Sequence, residues 1–320
     1  MRSDLVLGFD IGGTSTRALT ATLTGERLAT GTAPGGNPTS HGTDTALAHI
    51  AQAAAHTLTG IDPTRVAAVH IGLAGGEPLQ HGPGKTALDT VFTTLGVPTT
   101  TPVTCGTDLI VAFAAGTSSP EGTIAIGGTG AVAGGVAGHE LISRGDGYGW
   151  LLGDAGSGFW LGKRAVRATL EAIDGHAPIG PLAKAVLAET WNEPGEPTSR
   201  RLIDVVMRRP HMTLAAHARL VTTAATDGDP VAIALLEQAA AHLAATIISV
   251  RDTRERTPIV LAGSLLTAGT AVGTGVRDRL TRAFPDAPLL TGTDGVAAAA
   301  WLAARDLVDD PTALHKRLLG

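Results

Sequence analysis

Residues 5–18 read LVLGFDIGGTSTRA and residues 120–133 read PEGTIAIGGTGAVA, and the fold depends on reading them as two copies of one unit. Gly12-Gly13-Thr14 recurs as Gly127-Gly128-Thr129, about a domain's length further along. Each copy places an apolar, Ile-containing run before the glycines and a small or β-branched run after them. That is the pattern of a β-hairpin whose tight turn is built from glycine. Two such hairpins predict a duplicated α/β unit. The copies differ at one position that bears on chemistry: Asp10 precedes the first turn, and Ala125 stands at the matching place in the second.

Outward from the first copy, Leu47, Ile50, Ala51, Ala54 and Leu58 recur at helical spacing over 43–58. Residues 66–73 read as a strand ending at Gly75-Gly76, 103–104 as a short strand, and 109–115 as a helix entered at Thr107-Asp108. Beyond the second copy, helices are predicted over 158–174, 179–191 and 213–226. Asp229-Pro230 starts another, with Asp as cap and Pro at the first helical position, running to about Arg251. A strand over 259–261 ends at Gly263, 295–306 form a last helix, and 192–200 form a loop. The alternation is that of an α/β chain. The expected domains are 1–117 and 118–320, with the last helix returning to pack on the first.

Composition narrows the function. The chain of 320 residues is 43% hydrophobic and 17% charged, neither disordered nor fibrous. A net charge of −5 without a block of Lys or Arg disfavours nucleic-acid binding. Residues 122–138 are uncharged but too short and too Gly-rich to span a bilayer, and 231–250 carry Glu237 and His242, so no membrane span is expected. The N-terminus shows no signal-peptide pattern, which leads to the expectation of a cytoplasmic protein. The lone Cys105 excludes an internal disulfide and a Cys-rich metal site, and the eleven histidines show no zinc spacing. Gly84-Lys85-Thr86 resembles the end of a P-loop, but Leu79 stands where its first glycine belongs and Pro83 removes a backbone donor.

Glycine turns after strands bring backbone N–H groups against phosphate, because no Cβ blocks the approach. Asp10, beside the first turn, is either a structural Asp bonding its own turn or a partner of Mg²⁺ at the phosphates. Asp108, at a strand-to-helix corner, either caps its helix or accepts the proton of a hydroxyl attacking a γ-phosphate. The run GYGWLLGDAGSG over 147–158 combines glycines, aromatics and Asp154 in a way that suits a polyol ligand or a flexible loop. Asp146 adds a second carboxylate beside it.

Four motifs in order carry a family resemblance: Phe9-Asp10-Ile11-Gly12-Gly13-Thr14, Ala125-Ile126-Gly127-Gly128-Thr129-Gly130, Leu152-Gly153-Asp154-Ala155-Gly156-Ser157 and Val260-Leu261-Ala262-Gly263-Ser264. They resemble the two phosphate motifs, sugar loop and adenosine motif of the N-acetylglucosamine kinase group of BadF/BadG/BcrA/BcrD-type ATPases, in the sugar kinase/actin/Hsp70 superfamily. Within it the chain looks most like glucosamine kinases of high-GC bacteria. The resemblance implies two duplicated ribonuclease-H-like (actin-like ATPase) domains around a central cleft, ATP and Mg²⁺ as cofactors, and a homodimer. It implies Asp108 as catalytic base, and Gly12, Gly13, Thr14, Gly128 and Thr129 at the ATP phosphates. It further implies Gly263 and Ser264 at adenosine, Asn37 and Asp154 at sugar hydroxyls, and Asp10 at the metal.

Animal-type members read Gly-Thr-Gly-Ser-Asn in the second phosphate loop, where this chain has Gly128-Thr129-Gly130-Ala131-Val132, and Asp146 replaces what is usually glycine. A 2-ammonium group wants a carboxylate. The expected reaction is therefore phosphorylation of the 6-hydroxyl of D-glucosamine, with Asp146 a candidate partner of the amine. The alternatives are N-acetylglucosamine, or a non-kinase ATPase activator or sugar sensor on the same fold. An activator holding an iron–sulfur cluster would need at least two cysteines per chain. A sugar-responsive repressor would need a helix-turn-helix ahead of residue 10.

Overall fold

In the computed structural model, which describes residues 4–267 and 269–320, both Gly-Gly-Thr stretches are hairpin turns. The first half runs β1 (Leu5–Ile11), β2 (Ser15–Thr22), β3 (Arg27–Pro34), α1 (Pro38–His41), α2 (Thr43–Thr57), β4 (Val66–Leu73), α3 (Gly82–Thr94), β5 (Val103–Gly106) and α4 (Asp108–Ala114). The sheet order is β3-β2-β1-β4-β5; β1, β4 and β5 are parallel, and β2 is antiparallel to both its neighbours. The central strand β1 is almost wholly buried, as its continuous apolar run requires.

The second half runs β6 (Gly122–Gly127), β7 (Ala131–Ala137), β8 (Glu140–Asp146), α5 (Gly158–Ile173), α6 (Pro181–Thr190), α7 (Ser199–Met207), α8 (Ala218–Thr226), α9 (Pro230–Ser249), β9 (Ile259–Ala262), α10 (Ala271–Ala283), β10 (Leu289–Thr291), α11 (Gly295–Ala304) and α12 (Pro311–Leu319). Its sheet has the order β10-β9-β6-β7-β8. Read from the hairpin outward, both sheets have the same strand order: two hairpin-connected strands on one side of the first strand, and two later strands on the other. The repeat seen in the glycines extends to the whole topology.

Two compact units result. Unit 1 takes residues up to Ile124 together with Val136–Ile142 and Leu290–Gly320; unit 2 takes Ala125–Gly135 and Ser143–Leu289. The boundary drawn from sequence after residue 117 lies just before the first of these divisions. Within unit 1, α2 and α3 cover one face of the sheet, with Phe9, Ile50, Ile71, Leu88 and Phe92 at the centre and Phe9 edge-on to Phe92 at 5.7 Å. The opposite face of β1 takes α11, buried along its length and so close that a Cβ on Gly8 would overlap the Ala300 backbone. Trp301 on α11 donates its indole N–H to Pro311 O at 2.7 Å, and His315 on α12 bonds Ala114 O at 2.7 Å.

Within unit 2, α9 is the one helix among the described residues long and apolar enough to cross a membrane. Its Leu235, Leu236, Ala239, Leu243 and Ile247 instead lie in the unit's core with residues of α5, α6 and α8.

Eight elements form where the sequence pattern showed none: β3, α1, α3, β8, α7, α10, β10 and α12. β3 and β8 are outer strands with largely exposed side chains, so neither carries the alternation that marks a half-buried strand. α10 contains Gly273 and Gly275, which read as loop residues; a Cβ on Gly275 would lie 2.9 Å from Ala240 Cβ on α9. Residues 211–217 form a 3-10 turn, so the helix predicted from 213 begins at Ala218. Lys85 lies in the first turn of α3, paired with Asp89 one turn on, an arrangement unlike a phosphate loop.

Candidate active site

The register of unit 1 brings its site residues to one edge. Asp10 is opposite Gly72 on β4, and Gly72 is opposite Gly106 on β5, so the chain leaves all three parallel strands on the same side. Carboxyl ends of parallel strands are where α/β sheets bind ligands.

Here Gly12 N–H closes the hairpin on Ser15 O at 2.9 Å. The turn is backed by the loop after β3: a Cβ on Gly35 would collide with Gly13 O, and His41 Nε2 hydrogen-bonds the same carbonyl at 2.8 Å. On the other side the turn is open; Gly12, Gly13 and Thr14 are exposed, and a Cβ on Gly13 would meet nothing. Asn37 caps α1 by accepting from Thr39 N–H at 2.8 Å. Gly75, at φ +67°, follows β4 and brings that strand's end beside Asn37 and Thr39. Asp108 opens α4 behind the cap Thr107, and its Oδ1 accepts from Leu109 N–H at 3.0 Å. Asp10, Asn37 and Asp108 therefore share the carboxyl edge of one sheet.

Asp10 forms an ion pair with Arg17 across the hairpin, and its carboxylate packs on Gly295, where a side chain would overlap it. The start of α11 favours a negative charge there. No group of three His, Cys, Asp or Glu that could hold a metal occurs among the described residues. A single carboxylate suits Mg²⁺, which keeps several waters and takes its other ligands from nucleotide phosphates. Asp10 would thus fit an ion that takes its remaining ligands from phosphate and water.

Unit 2 assembles its own three motifs. Gly158 N–H donates to Gly128 O at 2.8 Å and Phe159 N–H to Thr129 O at 3.1 Å, which fixes the second turn at the start of α5. Ser157 caps that helix by accepting from Trp160 N–H at 3.1 Å. From the other side Leu265 N–H donates to Gly127 O at 2.9 Å, and Gly263, at φ +85°, leaves no room for a Cβ against the same carbonyl. Gly128, Thr129, Gly263 and Ser264 are thus parts of one backbone arrangement.

Asp154 is also drawn in: its Oδ1 accepts from Ala131 N–H at 3.3 Å, across from Gly130. Burial raises the pKa of Asp154, and the charge of Asp146 adds to the rise, against the lowering effect of the Ala131 N–H. Both residues have the left-handed backbone, at φ +57° and +58°. Asp146 does something its sequence position does not signal. Its Oδ1 accepts from Asp154 N–H at 2.7 Å and its Oδ2 from Ala155 N–H at 2.9 Å, closing the loop 147–153. Arg144 supports the clamp by donating to the carbonyls of Asp146 and Gly147. The loop exposes Tyr148, Leu151 and Leu152, while Trp150 stacks on His211 at 4.1 Å.

Residues 7–299 match the profile of the BadF/BadG/BcrA/BcrD ATPase family. The chain belongs to that family. This family member is 26% identical over 319 residues to the N-acetyl-D-glucosamine kinase of Dictyostelium discoideum, covering 95% of this chain and 98% of the relative. Among solved structures it resembles a candidate N-acetylglucosamine kinase from Chromobacterium violaceum, with TM-score 0.73, 24% identity, and 93% and 98% of the two chains covered. It also resembles a ROK family glucokinase from Streptomyces griseus solved with glucose and AMPPNP, with TM-score 0.57, 21% identity, and 93% and 99% covered. The fold of this BadF/BadG-type ATPase is accordingly a duplicated ribonuclease-H-like one. Arg17, His41 and Arg144, which hold the Asp and Gly motifs in place, lie outside those motifs, and nothing in their local sequence marks them.

Proposed function

We propose that this chain is an ATP-dependent hexosamine kinase that phosphorylates the 6-hydroxyl of glucosamine. The observation that carries the reading is Asp108 at the carboxyl edge of the unit 1 sheet, on the same edge as the open first Gly-Gly turn and Asn37. A kinase has little covalent chemistry to perform: it must position a hydroxyl, remove its proton and stabilise charge on the phosphoryl group. Asp108 accepts the proton. Gly12, Gly13, Thr14, Gly128 and Thr129 form the turns at the phosphates, where charge shifts in the transition state; the N–H groups of Gly13, Thr14 and Thr129 meet the charge, while those of Gly12 and Gly128 close their own hairpins on Ser15 O and Gly130 O. Asn37 and Asp154 hold sugar hydroxyls, and Gly263 and Ser264 line the adenosine. Mg²⁺, bound with ATP, would neutralise phosphate charge, and Asp10 would hold it.

The choice of glucosamine rests on the acidic pair of unit 2. Burial raises the pKa of Asp154 and the charge of Asp146 adds to the rise, so an ammonium beside them offsets both in a way that a neutral acetamide does not. Since both Asp146 oxygens accept backbone N–H groups, Asp154 is the better placed of the two to meet the amine. A second reading, N-acetylglucosamine, is favoured by the curated relatives: besides the Dictyostelium enzyme, one from Clostridium acetobutylicum is an N-acetylmuramic acid/N-acetylglucosamine kinase, 26% identical over 208 residues. ADP release on glucosamine, N-acetylglucosamine, glucose and mannosamine, side by side, tests both. Preference for glucosamine supports the acidic pair; preference for N-acetylglucosamine overturns it and keeps the kinase. Absence of turnover on all four overturns the kinase.

A further inference from the structure

We propose that His41 is a positioning residue that couples the two substrates within unit 1. Through α1 it ties Asn37, at the sugar, to the peptide that aims Thr14 N–H at phosphate. This coupling deepens the kinase reading and rests on it for the identity of both ligands.

The aim of Thr14 N–H follows from the peptide that carries it. A trans peptide is planar, and its N–H points away from its C=O. Two groups hold the carbonyl end of the Gly13–Thr14 peptide. His41 Nε2 bonds Gly13 O at 2.8 Å, and because a carbonyl only accepts, that nitrogen carries the proton. Gly35 fits against the same end: a Cβ there would lie 2.1 Å from Gly13 O, 2.4 Å from Gly13 C and 2.8 Å from Thr14 N. The approach is closest at the oxygen, so the loop after β3 takes the carbonyl side and Thr14 N–H is turned away from it. The turn itself is exposed, which leaves that N–H to a phosphate.

The same short helix carries the sugar contact. Asn37 Oδ1 accepts from Thr39 N–H at 2.8 Å, and Asn37 O accepts from His41 N–H at 3.0 Å. With Oδ1 engaged, Asn37 offers a hydroxyl its amide N–H₂. One turn of helix thus joins the side chain that meets the sugar to the ring that holds the phosphate turn. Neighbouring bonds keep the loop from yielding elsewhere: Thr16 Oγ1 donates to Pro34 O at 2.9 Å, and His49 Nδ1 bonds Gly35 O at 2.8 Å. On the β4 side, Gly75 leaves no room for a Cβ against Thr39 Oγ1. What fixes Asn37 therefore also fixes His41. A sugar hydroxyl on Asn37 orders α1, and the ordered helix holds Thr14 N–H in place before nucleotide arrives, so the second ligand has less ordering left to do. Because linkage is reciprocal, nucleotide on the turn favours the sugar by the same factor.

Calorimetry on the full chain measures the coupling as the ratio of AMPPNP affinities, in Mg²⁺, with and without saturating sugar, using glucosamine and N-acetylglucosamine in parallel. With the sugar that binds, the ratio is expected to reach about fivefold or more, the worth of one hydrogen bond. His41→Ala should bring it close to one, and His41→Gln, which keeps a side-chain N–H donor, should restore most of it. His56→Ala loses a like bond, to Thr32 O on β3, and should leave the ratio unchanged. In the unaltered protein, where no substitution can disturb folding, sugar alone should move the amide resonance of Thr14 and the ¹⁵N resonance of His41 Nε2. AMPPNP binding weakened in His41→Ala by the same factor with and without sugar would make His41 merely structural and overturn the proposal. So would a ratio lost equally in His56→Ala, no recovery in His41→Gln, or Thr14 and His41 resonances that stay still with both sugars. Failure of the kinase reading is seen separately, as absence of sugar turnover.

Discussion

Asp146→Asn separates a loop clamp from an amine contact. In the native chain Oδ1 accepts from Asp154 N–H at 2.7 Å and Oδ2 from Ala155 N–H at 2.9 Å. Asparagine keeps one acceptor but turns an amide N–H₂ towards the second N–H, donor against donor. One charge-assisted hydrogen bond is lost, which is worth about 1.5–3 kcal/mol. Taking about 2 kcal/mol because the loop is partly solvated, the aligned loop becomes about thirtyfold less favoured. Asp154 loses its backbone anchor with the loop, so kcat/KM should fall by about that factor on N-acetylglucosamine and glucose, and by more on glucosamine, whose ammonium also loses the Asp146 charge. Gly153→Ala should reproduce the phenotype on the two neutral sugars, since its Cβ would collide with Asp146 Oδ1. The assay is coupled ADP release on the three sugars, with limited proteolysis of 147–153 as a measure of loop order. A loss confined to glucosamine would refute the clamp and make Asp146 an amine ligand. Unchanged kinetics on every sugar would refute both roles.

Asp108→Asn should lower kcat by about 10²–10⁴ while leaving the melting temperature unchanged, because Thr107 still caps α4; unaltered kcat would remove Asp108 as base. Gly35→Ala should push Gly13 out of place, weakening AMPPNP binding by calorimetry about tenfold, in line with the roughly 1–3 kcal/mol of an overpacked contact. His70 and His139 are lowered to about 4, chiefly by burial, so they contribute stability that is present above pH about 6.5 and lost as the pH falls towards 4. Denaturant titrations should show up to about 1.4 kcal/mol lost per pH unit for each, and a smaller slope in His70→Phe; a flat profile between pH 6.5 and 4.5 would contradict this. Cys105, with its pKa raised to about 11 by burial, should resist a thiol reagent at pH 8 until the chain unfolds.

What was legible in the sequence depended on how local its physical cause is. A glycine turn is a local event, so the two Gly-Gly-Thr hairpins, and with them the duplication, could be seen in the residues themselves. Asp229-Pro230 likewise announces α9, and Asp229 does accept from Val231 and Ala232 N–H. The exposed outer strands β3 and β8 announce nothing: β8 reads ELISRGD and leaves Ile142 68% exposed, so no apolar face had to be written into it. The site divides in the same way. Asp108 stands in a strand-to-helix corner visible from its neighbours, whereas the clamp made by Asp146 joins residues eight and nine positions on, through a backbone that no propensity scale describes.

The difference between the duplicated hairpins shows how one topology acquires two chemistries. In unit 1 the position before the turn holds Asp10, whose charge Arg17 and the start of α11 balance before any nucleotide arrives. Bare phosphate beside such a carboxylate is repelled, and a cation must come between them. In unit 2 the same position is Ala125, only 2% exposed and part of the core, so no carboxylate precedes the second turn. The carboxylate that does approach it is Asp154, which comes from the loop closed by Asp146 and accepts from Ala131 N–H beside Gly130. On this argument Asp10→Ala should remove the need for a cation at the first turn and with it the discrimination between Mg-ATP and free ATP. Ala125→Asp should instead destabilise the unit 2 core, because a buried carboxylate there has no Arg17 to meet.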